Sequence, residues 1–281
     1  MKRKIGVLID NLLMPFDEAL VFAAGLGVEG IQFYASRDYV APWRTTPARR
    51  AEIEARISDA GLQVCALCGD LGGHGFERRS EHEQRLLRTR QIIEYAAELG
   101  TGVVSSHIGV IPPIRDEVFG SLVDALQSVV RFAEQHGVRY AIETGPEPSR
   151  LLKQFIDEIG SPGLAVNFDP ANLIMVHGEN AVSATEILAP HIAHVHAKDG
   201  RRLQPCDARE IYGAFAEGNP RGIDIDSFFV ELPPGEGDVG FTAWVDALDR
   251  IGYQGFLTIE REAGDRRASD VEQAVRFLRD L

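Results

Sequence analysis

The 281-residue sequence predicts an α/β protein that folds as a single (β/α)8 barrel. Short runs rich in apolar and β-branched residues alternate along the chain with longer segments of helical pattern, as in parallel sheets built from βα units. Eight such runs can be counted, and no linker or change in composition divides them into groups. Eight βα units in a domain of this size fit a closed barrel, so we expect one domain over residues 1–281.

The predicted elements follow this alternation in order. Strands are expected at residues 4–9, 30–34, 63–68, 102–107, 139–143, 164–169, 192–196 and 256–260. Helices with apolar residues at helical spacing are expected at about 17–26, 47–60 and 81–99. A residue past a helix end often needs a positive φ, which glycine adopts because it has no Cβ. Five glycines stand at such places: Gly27, Gly61, Gly100, Gly137 and Gly252.

A doubly wound sheet is the alternative arrangement for alternating strands and helices. Such a sheet more often carries a glycine-rich loop directly after its first strand. Here the segment Asp10-Asn11-Leu12-Leu13 follows the first strand. The barrel is therefore the favoured architecture.

One connection is much longer than the others. Between Lys198 and about Val239 there are roughly forty residues, whereas βα loops usually have only a few. The segment contains four prolines and one short helical pattern near residues 208–217. Because a connection that follows a barrel strand lies on the C-terminal face, where active sites are built, we predict a lid or specificity loop at 198–239.

Composition narrows the classes of function. Acidic residues number 42 against 29 basic residues, and the formal charge of −13 argues against a nucleic-acid partner. No apolar run reaches the roughly 18 residues that a membrane span requires, so no membrane partner is expected. The N-terminus has only a short apolar run before Asp10, which is typical of a first strand and not of a signal peptide. Three cysteines favour a reduced, cytoplasmic setting.

Four residues that can bind a metal stand at the ends of the last four predicted strands. They are Glu143, Asp169, His196 and Glu260. In a barrel the C-terminal ends of the strands converge on one mouth, so these side chains could meet around one ion. Three carboxylates and one imidazole suit Mn²⁺ or Mg²⁺ first, with Co²⁺ or Zn²⁺ as alternatives. Each residue by itself could also be an ordinary loop or capping residue.

Several motifs resemble one known family. The sequence is similar to the xylose-isomerase-like TIM barrels, the sugar phosphate isomerase/epimerase superfamily that also includes inosose dehydratases and endonuclease-IV-type enzymes. The resemblance covers nearly the whole chain and is strongest at residues 142–144, 167–172, 194–199, 234–239 and 252–260. It implies that Glu143, Asp169, His196 and Glu260 bind one divalent metal, and that Glu143 and Glu260 act as acid and base on opposite faces of the substrate.

The chemistry implied by the resemblance is physically reasonable. A proton next to a carbonyl is too weakly acidic to leave at neutral pH, and a metal that binds the carbonyl and a neighbouring hydroxyl stabilises the resulting enediolate. One carboxylate removes the proton, and a second returns it. Return from the opposite face inverts the carbon, and return to the neighbouring carbon isomerises the sugar.

The expected substrate-binding residues agree only in part with the ketose 3-epimerases of that family. Those enzymes usually carry a histidine three residues after the aspartate ligand and a glutamate six residues after the first glutamate ligand. Here Asn172 and Ser149 occupy those positions, and Glu147 lies near but at a different spacing. The arginine six residues after the histidine ligand is present as Arg202. The predicted substrate-binding residues are His107, Asn172, Lys198 and Arg202, although Lys198 could equally be a solvated loop lysine.

We therefore expect a metal-dependent isomerase or epimerase of a small sugar, ketose or sugar phosphate, with a carbohydrate as its partner. The alternative is a metal-dependent dehydratase or lyase that acts on a keto-polyol or keto-glycoside, because elimination begins with the same proton removal. Cleavage of DNA at abasic sites conflicts with the strongly negative charge. A sugar-binding barrel without catalysis is the remaining class. The family resemblance also implies a homodimer or homotetramer.

Overall fold

The structure, a computed structural model, describes residues 3–281 and contains a closed barrel of eight parallel strands. The barrel strands are β1 (Lys4–Leu8), β2 (Gly30–Tyr34), β3 (Gln63–Cys68), β4 (Val103–Ser106), β5 (Arg139–Glu143), β6 (Leu164–Phe168), β7 (Ile192–Ala197) and β10 (Phe256–Ile259). Around the barrel their order is β1-β10-β7-β6-β5-β4-β3-β2. The predicted fold class is confirmed, and the eight predicted runs are the eight barrel strands. The first two residues of the predicted domain lie outside the described range.

The helices surround the barrel and connect its strands. They are α1 (Phe16–Gly25), α2 (Pro47–Asp59), α3 (His82–Glu98), α4 (Glu117–Gln135), α5 (Ser149–Ile159), α6 (Pro170–His177), α7 (Ala181–Leu188), α8 (Ala208–Glu217), α9 (Phe241–Arg250) and α10 (Arg267–Arg279). The three predicted helices are α1, α2 and α3, with bounds within one residue of those predicted. Each of the five predicted glycines takes a φ between 68° and 74°, as the helix-to-strand turns require.

The inside of the barrel changes from apolar to polar along the strands. A small layer of Ala66, Val103, Ala141 and Ala165 packs inside the barrel, separate from the large core between strands and helices. Two residues further along a strand the side chain points to the same side, so Glu143 lies above Ala141. Alanine side chains therefore form a narrow base beneath the polar groups at the C-terminal mouth.

The long connection of residues 198–239 contains more regular structure than the sequence predicts. Besides the expected helix α8, it forms an antiparallel pair of β8 (Asp199–Arg202) and β9 (Phe229–Leu232). The Asp199 carboxylate accepts hydrogen bonds from the amides of Gly235, Gly237 and Val239 at 2.9, 2.9 and 3.1 Å. We call residues 198–239 the insert. Its two ends are fastened to each other by this carboxylate and by the strand pair.

None of the helices within residues 3–281 combines the length and apolar character needed to cross a bilayer.

Candidate metal centre and active site

The four predicted metal ligands come together in the structure. Glu143 ends β5, Asp169 follows β6, His196 lies in β7 and Glu260 follows β10. One potential ligand atom from each residue lies within 4.8 Å of those of the other three. All four residues are at most 5% exposed. The converging strand ends therefore build one compact, buried group of donors at the mouth.

Asp169 is held so that one of its oxygens remains available. Its side chain caps α6, and Oδ1 accepts a hydrogen bond from the Asn172 amide at 3.0 Å. Its backbone is fixed by Thr144, whose hydroxyl accepts from the Asp169 amide and donates to the Asp169 carbonyl, both at 2.8 Å. Oδ2 is buried and accepts no hydrogen bond from any described residue. A buried carboxylate oxygen without a partner is costly unless a cation binds it.

His196 is oriented by a glutamine on the other side of its ring. Its Nε2 donates to Gln32 Oε1 at 3.0 Å, so Nδ1 is the nitrogen that faces the carboxylates. Nδ1 lies 3.1 Å from Glu260 Oε2, 3.6 Å from Glu143 Oε1 and 3.7 Å from Asp169 Oδ2. Burial lowers the pKa of His196, but Glu260 and Glu143 outweigh burial and raise it well above its ordinary value. The cluster thus attracts positive charge.

The donor set fits a divalent cation. Three carboxylates and one imidazole present hard oxygen ligands with one nitrogen, which Mn²⁺ and Mg²⁺ accept. The unpartnered Oδ2 of Asp169 and the Nδ1 of His196 face the same small space. A cation held by Glu143, Asp169, His196 and Glu260 would balance charges that the protein buries together.

Lys198 is a buried member of the site and not a solvated loop residue. It is 3% exposed, and its Nζ lies 3.1 Å from Glu260 Oε2 and in close contact with Glu262. Glu231 of β9 and Asp169 lie 3.8 and 3.9 Å away. Burial lowers the pKa of Lys198, but the surrounding carboxylates outweigh burial and keep it well above its ordinary value. Lys198 is therefore a permanent cation beside the candidate metal position.

His107 and Asn172 also lie at the mouth. Nδ2 of Asn172 donates to Glu143 Oε1 at 3.3 Å and so orients that carboxylate. His107 donates from Nδ1 to Asp70 Oδ2 at 3.3 Å, and its ring packs against Tyr212 of α8 with centroids 5.6 Å apart. Its Nε2 is buried without a hydrogen-bond partner in the described part of the chain. Burial lowers the pKa of His107, but Glu143 and Asp70 raise it overall to about 9.

Arg202 lies away from the other predicted residues. Its Nη1 is 2.6 Å from the place where a Cβ of Gly178 would lie, just past the end of α6. Asp169 caps the opposite end of that eight-residue helix, so the length of α6, about 12 Å, separates Asp169 from Gly178 and the neighbouring Arg202 guanidinium. The structure does not bring Arg202 into the ligand group, and its contact with substrate stays a prediction.

Two further polar residues belong to the site although the sequence predictions do not include them. Gln32 carries a detectable signal, because it is the one strongly polar residue in the apolar strand Gly30–Tyr34. Glu147 is 2% exposed, and neither of its carboxyl oxygens has a hydrogen-bond partner within residues 3–281. Burial raises the pKa of Glu147 to about 8, opposed by the nearby Ile111 amide and by His107. Its position four residues after Glu143 in a loop gives no pattern that predicts burial.

Comparisons with known proteins agree on one family. A family model described as the xylose isomerase-like TIM barrel matches residues 20–281. Inosose dehydratase of Mesomycoplasma hyopneumoniae is 26% identical over 178 residues, which are 60% of this chain and 57% of the dehydratase. The 2-epi-5-epi-valiolone 7-phosphate 2-epimerase of an Actinoplanes species is 28% identical over 193 residues, 65% of this chain and 67% of that enzyme.

Structural similarity extends over more of the chain. The crystal structure of a xylose isomerase domain protein from Planctomyces limnophilus has a TM-score of 0.78 and 27% sequence identity. The match covers 99% of this chain and 95% of that one. The family model and the closed barrel point to the same conclusion. This chain belongs to the xylose isomerase-like TIM barrel family.

Proposed function

We propose that this protein is a divalent-metal-dependent isomerase or epimerase of a small sugar, ketose or sugar phosphate. The observation that carries the proposal is the convergence of Glu143 and Glu260 on one buried ligand group. Glu143 ends β5 and Glu260 follows β10, and these two strands are separated around the barrel by β6 and β7. The two carboxylates therefore approach the centre from different directions, as removal and return of a proton on two faces requires.

The side chains of the site suit proton transfer next to a carbonyl. Either glutamate can take the proton, while the other delivers one to the opposite face or to the neighbouring carbon. A bound divalent cation supplies positive charge where the enediolate oxygens become negative. Asn172 holds Glu143 Oε1, and Lys198 holds Glu260 Oε2, so both carboxylates keep fixed directions. The burial of all four ligands excludes water from the reacting proton.

His107, Asn172, Lys198 and Arg202 are the proposed substrate-binding residues. Nε2 of His107 is the best supported contact, because it is buried, has no described partner and is oriented by Asp70 through Nδ1. Tyr212 brings α8 of the insert over the same ring. A polyhydroxylated substrate would satisfy these polar groups beneath the insert.

A dehydratase is the second candidate, and Glu147 favours it. Elimination of a hydroxyl group needs a proton donor in addition to the base that opens the reaction. The raised pKa of Glu147, about 8, keeps this carboxyl protonated at neutral pH. Among the relatives, inosose dehydratase is named for this type of reaction, and the Actinoplanes enzyme is named as an epimerase.

Solvent deuterium exchange tests the proposal. The Mn²⁺- or Mg²⁺-loaded protein is incubated in D₂O with ketoses, keto-inositols and their phosphates, and NMR follows deuterium at carbons next to a carbonyl. We expect exchange in the wild type, loss in Glu143→Gln, and no change in Glu186→Gln, a control on an exposed surface ion pair. The product then separates epimerase from dehydratase. Absence of exchange across the panel with metal bound would reject the proposed chemistry.

A further inference from the structure

Lys198 lies among carboxylates in the way that a bound metal ion does. Its Nζ is within 4.0 Å of carboxylate oxygens from Asp169, Glu231, Glu260 and Glu262. Three of these four side chains are at most 8% exposed, and Glu262 is 47% exposed. Buried carboxylates at this density need a cation close to them. Here an ammonium group of the chain itself supplies that cation.

Two of these oxygens are shared with the candidate metal position. Glu260 Oε2 lies 3.1 Å from His196 Nδ1 and 3.1 Å from Lys198 Nζ. Asp169 Oδ2 lies 3.7 Å from the same imidazole nitrogen and 3.9 Å from the same ammonium. In two-metal centres, carboxylates bridge ions about 3.5–4 Å apart. A cation held beside His196 Nδ1 would therefore share these two carboxylates with the Lys198 ammonium.

The charges of the carboxylates around Lys198 are consistent with two cation positions. Glu231 is paired with Arg261, whose Nη1 lies 2.6 Å from Glu231 Oε1 and whose Nε lies 3.0 Å from Asp270 Oδ2, so one guanidinium serves two carboxylates. The remaining carboxylates are Glu143, Asp169, Glu260 and Glu262. Their four negative charges are offset by one divalent ion and one lysine, which together carry three positive charges. If a second divalent ion replaced the ammonium, the positive charge would rise from three to four, and the surplus of negative charge around the centre favours its entry.

We propose that the ammonium of Lys198 occupies the second cation position of the centre and thereby limits it to one metal ion. The inference rests on the metal centre of the proposed function. A lysine that only forms ion pairs would, when removed, lower the stability without changing the number of bound ions. A lysine that fills a cation position would, when shortened, leave a site that a second ion enters.

Counting bound Mn²⁺ tests this. The full chain and its Lys198→Ser variant are dialysed against Mn²⁺, and bound ions per chain are measured together with the EPR spectrum. We expect one more tightly bound Mn²⁺ in the variant than in the wild type, with the spectrum of two coupled ions. Lys198→Arg, which keeps the charge, and Lys153→Ser, a change in an exposed ion pair of α5, should both bind the wild-type number.

A double variant locates the extra ion. Lys198→Ser combined with Glu262→Gln should weaken the additional Mn²⁺ at least tenfold and leave the first ion bound, because Glu262 contacts Lys198 and does not belong to the group of four candidate ligands. Equal numbers of ions in the wild type and Lys198→Ser would overturn the proposal, as would an extra ion that does not depend on Glu262. If Lys198→Ser folds only when refolded with Mn²⁺, its ions are counted in that state, and failure to fold even with Mn²⁺ would also overturn it.

The number of Mn²⁺ ions bound by the wild type tests the proposed function itself. A wild-type chain that binds no Mn²⁺ would contradict the proposed function. The difference of one ion between the variant and the wild type would still decide the role of Lys198.

Discussion

The buried carboxyl of Glu147 should make the stability of this protein fall as the pH rises. Burial raises its pKa from an ordinary 4.5 to about 8. Below pH 4.5 the carboxyl is protonated in the folded and unfolded states and has no effect on the pH dependence. Between pH 4.5 and about pH 8, Glu147 loses its proton in the unfolded chain but keeps it in the folded chain, so the free energy of unfolding declines. Above pH 8 the carboxyl is ionised in both states, and the free energy of unfolding declines no further from this group.

The size of this effect follows from the same two values. One pKa unit corresponds to about 1.4 kcal/mol, so a rise from 4.5 to about 8 amounts to about 5 kcal/mol. Glu147 is 2% exposed, and solvent screening therefore reduces this figure little. Such a loss is a large part of the net stability of a typical domain, about 5–15 kcal/mol. Glu147→Gln removes the titrating group while nearly preserving its shape.

The assay is urea unfolding of the metal-free protein at pH 5 and pH 9. The difference in unfolding free energy between Glu147→Gln and wild type should grow by several kcal/mol in favour of the variant as the pH rises. Because the other titrating groups are present in both proteins, the difference reports the titration of Glu147 together with its interaction with the neighbouring His107. Glu186→Gln, on an exposed ion pair, should show no such trend. A difference for Glu147→Gln that stays constant with pH would refute the reasoning.

Three other predictions concern the metal centre and the insert. Gln32→Leu should weaken Mn²⁺ binding about 10- to 100-fold in calorimetric titration, because Nε2 of His196 loses its acceptor. Binding of Mn²⁺ at pH 7 should release about one proton, because the raised pKa of His196 keeps the metal-free imidazole charged. Calorimetric titrations in buffers of different ionisation enthalpy measure the number of protons released, and a value of zero would contradict this prediction. Gly237→Ala should loosen the insert and speed its cleavage in limited proteolysis, because a Cβ at Gly237 would overlap the carboxylate of Asp199 and the backbone nitrogen of Gly200. Unchanged cleavage would show that both groups shift without loosening the insert.

The barrel and the convergence of the four candidate metal ligands could be predicted because local patterns determine them. Each strand is a short apolar run, and each ligand stands where such a run ends, so closure of the barrel is enough to bring Glu143 and Glu260 together. The glycine turns follow from the same local chemistry, since a positive φ is required after the helices.

The surroundings of the ligands could not be predicted in the same way. Lys198 is a buried cation because Glu260 and Asp169 lie beside it and because Glu231 and Glu262 approach it from the insert and from the segment after β10. The strand pair of the insert has no apolar alternation in its first strand, Asp199–Arg202, and its register depends on partners thirty residues away. Arg202 is placed by packing beside Gly178, which spacing from His196 does not reveal.

The fastening of the insert at its base gives the fold an exchangeable part. Asp199 and the strand pair close the ends of the insert, while the stretch of residues 203–228, which includes α8 and Tyr212, lies between them. Replacement of this stretch by one of another length or composition leaves both closing elements in place. This stretch can therefore be exchanged without changing the four candidate metal ligands, and chimaeras joined at 202 and 229 would test whether it determines substrate specificity.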